Sequence, residues 1–300
     1  MSQTNANKTY LDPEILAGLS SMQLRARLVV EGFIVGLHKS PYHGFSVEFA
    51  EHRAYGSGDD LRFLDWKLYG KTDRFYVKQF EEETNLKAHI MLDTSKSMAF
   101  ASGKISKLQY GSYLSAALTF LLLKQQDAVG LSLFDDHVHF HQRPSSRSTV
   151  LNGILAKLEH VEPGNETAIG GSLHRLAERI DQRGLVIVIS DLFDDPEAIL
   201  HGLKHFRHDH HEVLVFHIMD PREVDFNFNE HTKFVDMETG ESMATEPWHL
   251  KEAYRKAVQN FQETLSRGSR EQRIDYIPIT TDQPLDIALM AYLTKRQKIR

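Results

Sequence analysis

Apolar and polar positions follow different rules on either side of residue 86. Upstream, Asp12-Pro13-Glu14 reads as a helix start, with Asp12 as cap and Pro13 in the first turn. The polar residues before Asp12 predict a frayed end. Ile15, Leu16, Leu19, Met22, Leu24, Leu28 and Val29 recur at helical spacing and predict one or two helices. Gly32, Gly36, Pro41, Gly44, Gly56, Gly58 and Gly70 then break any regular pattern. Between Glu48 and Lys87 stand nine acidic and seven basic residues in 40, which predicts a solvated or mutually paired surface rather than a core.

Downstream, strand and helix patterns alternate. Ala88–Asp93 is a short apolar run ending in a carboxylate. Ile105–Gln126 is a long helical pattern with Leu108, Tyr113, Leu114, Ala117, Leu118, Leu121 and Leu122 on one side. Ala128–Phe134 predicts a second strand, joined by Val138–His141 across the turn Asp135-Asp136. Helices are predicted at Thr149–His160, Ile169–Asp181 and Pro196–Phe206. Leu185–Ser190 and Val213–Met219 read as strands buried on both faces. A hairpin turn at Met237–Glu241, a helix at Pro247–Arg267, a strand at Ile274–Ile279 and a helix at Leu285–Arg296 complete the series. This alternation predicts an α/β fold, a mostly parallel doubly wound sheet with right-handed crossovers. The expected division is a helical and loop-rich N-terminal subdomain over residues 1–85 and the α/β domain over 86–300.

Charge and composition narrow the function classes. With 35 basic and 41 acidic residues the net charge is −6, which argues against broad binding of nucleic-acid phosphates. The absence of cysteine excludes disulfides, thiolate metal sites and a cysteine nucleophile. The first residues lack a charged segment followed by an apolar one, and no apolar run approaches the length of a membrane span. The expectation is a cytoplasmic protein with no nucleic-acid partner and no direct membrane insertion.

Sites in open α/β sheets form beyond the carboxyl ends of the strands. The first strand is followed by Asp93-Thr94-Ser95-Lys96-Ser97, and Leu185–Ser190 by Asp191. Asn165-Glu166-Thr167 precedes the helix starting near Ile169. These side chains offer only oxygen, the donor that hard divalent cations require, and Mg²⁺ takes six oxygens at about 2.0–2.1 Å. Two carboxylates and a few hydroxyls leave part of that shell to water or to an external carboxylate.

The Asp-Thr-Ser-Lys-Ser element resembles the Asp-x-Ser-x-Ser signature of von Willebrand factor A domains. Their metal-ion-dependent adhesion site adds a threonine from a second loop and an aspartate from a third. The resemblance implies Asp93, Ser95 and Ser97 as first-loop ligands, with Thr167 and Asp191 contributing directly or through water. Upstream, Gly36-Leu-His38, Gly44-Phe-Ser46-Val-Glu48, Glu51-His-Arg53-Ala-Tyr55, Gly58-Asp-Asp60-Leu-Arg62, Asp65-Trp66, Thr72-Asp-Arg74, Val77-Lys78 and Glu82-Glu83 resemble the bacterial domain of unknown function 58 family. That likeness covers nearly the whole chain. It implies a von Willebrand A-like domain that binds Mg²⁺, with Mn²⁺ or Ca²⁺ as alternatives. It also implies an adaptor for a MoxR-type AAA+ ATPase, or for a client protein that donates an acidic side chain. The family also has longer members with membrane-spanning segments.

Other features carry weaker signals. Arg53, Arg62 and Arg74 read as structural partners of Asp59, Asp60, Asp65 or Asp73, and Trp66 as a core anchor. His201, His205, His208, His210 and His211 cluster, and the first two have the i,i+4 spacing that transition metals use, but no accompanying carboxylate motif is present. The segment therefore reads as a solvated, pH-sensitive surface. No Walker lysine loop or nucleophile elbow exists. The expectation is a protein that is not an enzyme. A metal-assisted hydrolase using Asp93 and Asp191, and a metal-free scaffold, are the competing readings.

Overall fold

The computed structural model describes residues 12–38, 52–54, 69–70, 72–73, 75–78, 86–164, 169–228, 232–235, 242–245 and 247–299. The frayed start, Arg62, Arg74, Asp59, Asp60, Asp65, Trp66, Thr167 and the turn at Met237–Glu241 lie outside these residues, as does the side chain of Arg53.

A six-stranded sheet organises the chain. Its strands are β3 (Lys87–Asp93), β4 (Ala128–Phe134), β5 (Val138–Ser145), β6 (Leu185–Ser190), β7 (Glu212–Met219) and β10 (Asp275–Thr280), in the order β10-β7-β6-β3-β4-β5. All neighbours are parallel except β4 and β5. Two short antiparallel pairs lie outside it, β1 (His52–Ala54) with β2 (Tyr76–Lys78) and β8 (Thr232–Val235) with β9 (Ser242–Thr245). The expected α/β class and its mostly parallel order are observed. β5 runs further than the pattern suggested. Pro144 cannot donate to a ladder, which suits an edge strand, and bulges interrupt the pairing. At one bulge a Cβ on Gly130 would lie 2.4 Å from the carbonyl oxygen of Gln142, so only glycine allows the strands to approach there.

Strand side chains alternate between two cores, as a period of two requires. Ile90, Leu92, Ile187, Ile189, Leu214 and Phe216 enter one, against α3 (Lys107–Lys124), α4 (Ser148–Glu159) and α9 (Asp286–Ile299). Met91, Val186, Val188, Val213 and Val215 enter the other, against α5 (Ile169–Ala177), α6 (Pro196–His208) and α8 (Pro247–Glu271). Each fully buried aliphatic side chain contributes about 1.5–3 kcal/mol relative to exposure. The helices α1 (Pro13–Ala17) and α2 (Met22–His38) share the first core through Leu16, Met22, Ala26, Val29, Val30 and Phe33. Asp12 caps α1 by accepting from the Glu14 N–H at 2.9 Å, and Glu159 of α4 accepts from the Met22 N–H at the start of α2.

The helix α3 is central and buried almost all round. A capping box sets its start: Ser106 accepts from the Gln109 N–H, and the Gln109 side chain accepts from the Ser106 N–H. Lys107 is therefore its first helical residue. A Cβ on Gly111 would stand 2.8 Å from Leu92 Cδ1, so glycine lets this helix lie close on β3. Among the described residues, no helix is long and apolar enough to cross a membrane.

Candidate metal site

Parallel register brings the predicted residues to one end of the sheet. Leu92 pairs with Ile189, which sets Asp93 level with Ser190, and Ser190 pairs in turn with His217 of β7. The Asp93 side chain is fully buried, with Oδ1 accepting from the Ser95 N–H at 2.9 Å and Oδ2 from the Ser190 hydroxyl at 2.6 Å. Ser95 Oγ lies 3.0 Å from Ser97 Oγ, in the short 3₁₀ turn Lys96–Ala99 and its cap. Thr94 turns to the neighbouring strand, where its hydroxyl donates to the Phe134 carbonyl at 3.0 Å. Burial, reinforced by the negative charge of Asp191, pushes the Asp93 carboxyl up to about 7 against the pull of its hydrogen-bond donors. The two predicted carboxylates thus act on one another, and Ser95 and Ser97 stand beside the first of them. Thr167, the remaining predicted ligand, lies outside the described residues.

Three participants escaped the sequence reading. Ser190, the last residue of its strand, holds Asp93. Lys107 Nζ donates to Asp191 Oδ2 at 2.8 Å and to Glu223 Oε1 at 2.6 Å, and its side chain is 2% exposed. Glu223 belongs to a short helix, α7 (Pro221–Asp225), closed by a capping box with Asp220. Asp220 Oδ2 also accepts from the Ser102 N–H at 2.7 Å, which ties α7 to the segment following the serine pair. Burial works against the Lys107 ammonium, and a helix N-terminus disfavours a cation, yet the two carboxylates hold its pKa above the ordinary value. Burial raises Glu223 despite its contact with Lys107.

The charge balance decides what this site can accept. With Asp93 ionised, the carboxylates of Asp93, Asp191 and Glu223 oppose the single ammonium of Lys107 and leave a formal −2. A divalent cation cancels that excess, and its field would also strip the proton from Asp93. The all-oxygen donors of Asp93, Ser95, Ser97 and Asp191 suit a hard ion such as Mg²⁺.

A cavity of about 400 Å³ opens beside Asp191. Lys107, Asp191 and Glu223 contribute to its lining, and Phe193, Met219, Tyr254 and Phe261 supply apolar walls. Phe193 is 67% exposed. His217 also contributes to the lining; it is buried, hydrogen-bonded to the Asp191 backbone and 2.5 Å from the Tyr276 hydroxyl. Burial lowers its pKa to about 4, so it is a neutral support for Asp191 rather than a proton donor to the cavity. In the β4–β5 turn, carboxylate and imidazole atoms of Asp135, Asp136 and His137 lie within 4.8 Å of one another. His137 contacts both acids there, Asp136 at 2.6 Å and Asp135 at 3.1 Å, and these contacts raise its pKa from the ordinary value.

Comparison with known proteins places the chain among relatives of matching extent. The family model described as protein of unknown function DUF58 matches residues 51–264. An uncharacterized protein of Mycobacterium tuberculosis is 23% identical over 293 residues, covering 96% of this chain and 91% of the relative. Two solved structures have TM-scores of 0.50. The conserved hypothetical protein BatB from Bacteroides thetaiotaomicron is 19% identical and covers 71% of this chain and 98% of its own. An aerotolerance-related membrane protein from Bacteroides fragilis is 21% identical and covers 71% and 99%. The SpRpn10 VWA domain matches at 13% identity with a TM-score of 0.37, covering 69% of this chain and 94% of that domain.

Proposed function

The chain belongs to the DUF58 family, and from this premise we propose that it is a metal-dependent protein-interaction module on a von Willebrand A-like fold. The observation that carries the reading is the gathering of Asp93, Ser95, Ser97 and Asp191 at one sheet end, where carboxyl groups outnumber the single ammonium of Lys107, beside an open apolar cavity. Asp93, Ser95, Ser97 and Asp191, with Thr167 as the resemblance implies, would hold Mg²⁺, or alternatively Mn²⁺ or Ca²⁺. The ion supplies a positive centre that attracts an Asp or Glu side chain of a partner. The protein's own residues do the rest. Ser190 and the Ser95 N–H orient Asp93, while Lys107 and the His217-supported backbone hold Asp191. Phe193, Tyr254 and Phe261 give the cavity next to the contact apolar walls, against which a partner could dock and dry the charge pair, and such pairs gain strength when dry.

The partner the family resemblance suggests is a MoxR-type AAA+ ATPase, or an acidic client delivered to it, in a cytoplasmic setting. The hydrolase reading has less support, because Lys107, the cation beside Asp191, is engaged by two carboxylates rather than turned to a substrate. The test is affinity capture by the wild-type chain and by Asp93→Ala, each with Mg²⁺ and with chelator. Capture that needs both Asp93 and Mg²⁺ is the expected result. A partner retained in chelator removes the metal from the mechanism.

A further inference from the structure

The helices α5 and α6 meet backbone to backbone. A Cβ on Gly170 would come 2.9 Å from the Ala198 carbonyl oxygen, and one on Gly202 would come 3.0 Å from that of Gly170. This contact fixes the spacing of the pair, because no larger residue fits at either position. One turn beyond Gly170 stands His174, and flanking Gly202 on the facing helix are His201 and His205. The consequence is a cluster that the linear sequence conceals. The imidazole of His174 lies 4.3 Å from that of His205, ring centre to ring centre, and His201 lies 4.9 Å from His205. Glu178, one turn after His174, places Oε1 at 3.5 Å from His174 Nε2.

We propose that His174, His201 and His205 form a zinc site bridging α5 and α6, with Glu178 as the fourth donor. Zinc takes four nitrogen, sulfur or oxygen ligands in a tetrahedron, with imidazole nitrogens at about 2.0–2.1 Å and carboxylate oxygens at about 2.0–2.2 Å. Imidazole is a softer donor than carboxylate or hydroxyl and selects zinc over Mg²⁺. This site therefore differs in chemistry, as well as in location, from the oxygen site at Asp93. The ring nitrogens do not share one centre in this structure. Binding there would require the imidazoles to turn toward one another; the torsion that orients an imidazole is broad and the His174 side chain is half exposed, which leaves room for that turn. The backbone positions are already set by the glycine contact. Zinc held there would clip the two helices that cover one face of the sheet.

The experiment is a calorimetric titration of the tag-free full chain with Zn²⁺, in excess Mg²⁺ to keep the oxygen site filled. It is repeated with His174→Ala, His201→Ala, His205→Ala, Asp93→Ala and the remote surface variant His160→Ala. One zinc per chain is expected. Support partners outside a metal's own ligands are already worth about tenfold or more in affinity, so loss of any of the three ligands should weaken binding by at least about that factor. Asp93→Ala and His160→Ala should bind as wild type. Cobalt in place of zinc should give the visible spectrum of a tetrahedral ion. The proposal is overturned if zinc does not bind at micromolar concentration, if His174→Ala binds as tightly as wild type, or if Asp93→Ala abolishes the event.

Discussion

Replacing Lys107 by methionine removes one charge from the interior while keeping nearly the same volume. Its ammonium stands 2.8 Å from Asp191 and 2.6 Å from Glu223, with side-chain exposures of 2% for the lysine and 3% for Asp191. At an effective dielectric of about 20, each attraction at such a separation is about 6 kcal/mol. Desolvation of the charges offsets much of that. Loss of one partner of a buried pair costs about 3–5 kcal/mol, because the remaining charge stays buried and uncompensated. Lys107→Met should therefore lower the unfolding free energy by about 3–5 kcal/mol in the presence of chelator. The same substitution moves the local formal charge from −2 to −3, so Mg²⁺ should bind more tightly and restore part of the lost stability. Urea unfolding with and without Mg²⁺, alongside Asp191→Asn and the double variant, separates these effects. The single and double variants should be non-additive, since removing both members leaves less uncompensated charge. A loss below about 1 kcal/mol, together with unchanged Mg²⁺ affinity, would refute the claim that Lys107 is the internal counter-ion of this site.

Two further outcomes follow from the core. Gly111→Val places branched carbon where a single Cβ already meets Leu92 Cδ1 at 2.8 Å and Ile189 Cγ2 at 3.2 Å. It should destabilise by about 1–3 kcal/mol in urea unfolding, whereas in Gly111→Ala a helix-propensity gain of about 1 kcal/mol offsets a small shift of the leucine tip. A valine variant as stable as wild type would mean that α3 does not rest on β3 at this residue. His89 is buried in β3, and burial, then the charge of His211, lowers its pKa from 6.5 to about 4. The unfolded chain then binds the extra proton first, so this stability is complete above about pH 6.5 and is lost as pH falls toward 4. The loss is on the order of 3 kcal/mol. His89→Leu should flatten that part of the profile, and parallel wild-type and variant curves between pH 7 and 4.5 would contradict the assignment.

The buried strands were legible because a parallel sheet covered on both faces demands continuous β-branched runs, and Leu185–Ser190 and Glu212–Met219 supply them. Edge elements were harder. β5 holds Arg143 and Pro144, and its pairing with β4 rather than any apolar pattern makes it a strand. The first-loop residues and Asp191 stand out because each follows a strand at the sheet end where α/β sites gather. The helix α7 had a signal that went unused: Asp220-Pro221 followed by Glu223 is a cap, a first-turn proline and an N3 acid, the pattern that also starts α1 and α6 in part. Overlooking it also hid Glu223.

Lys107 is the harder case. A lysine beginning a helix reads as solvent-facing, since intrinsic preference places cations at the opposite end. The helix it begins is apolar almost all round, however, and a helix without a polar face has nowhere exposed to send that ammonium. A buried cation requires a buried anion, and the carboxylates available at that sheet end are those assigned to the metal. Counting Asp93 and Asp191 alone gives a site that a dication neutralises. Adding ionised Glu223 and Lys107 restores the same formal −2 by a different route, and a bound dication would then share Asp191 with Lys107. On the proposed reading, metal affinity would therefore be set as much by the lysine at the start of α3 as by the serines and aspartates of the recognisable motif.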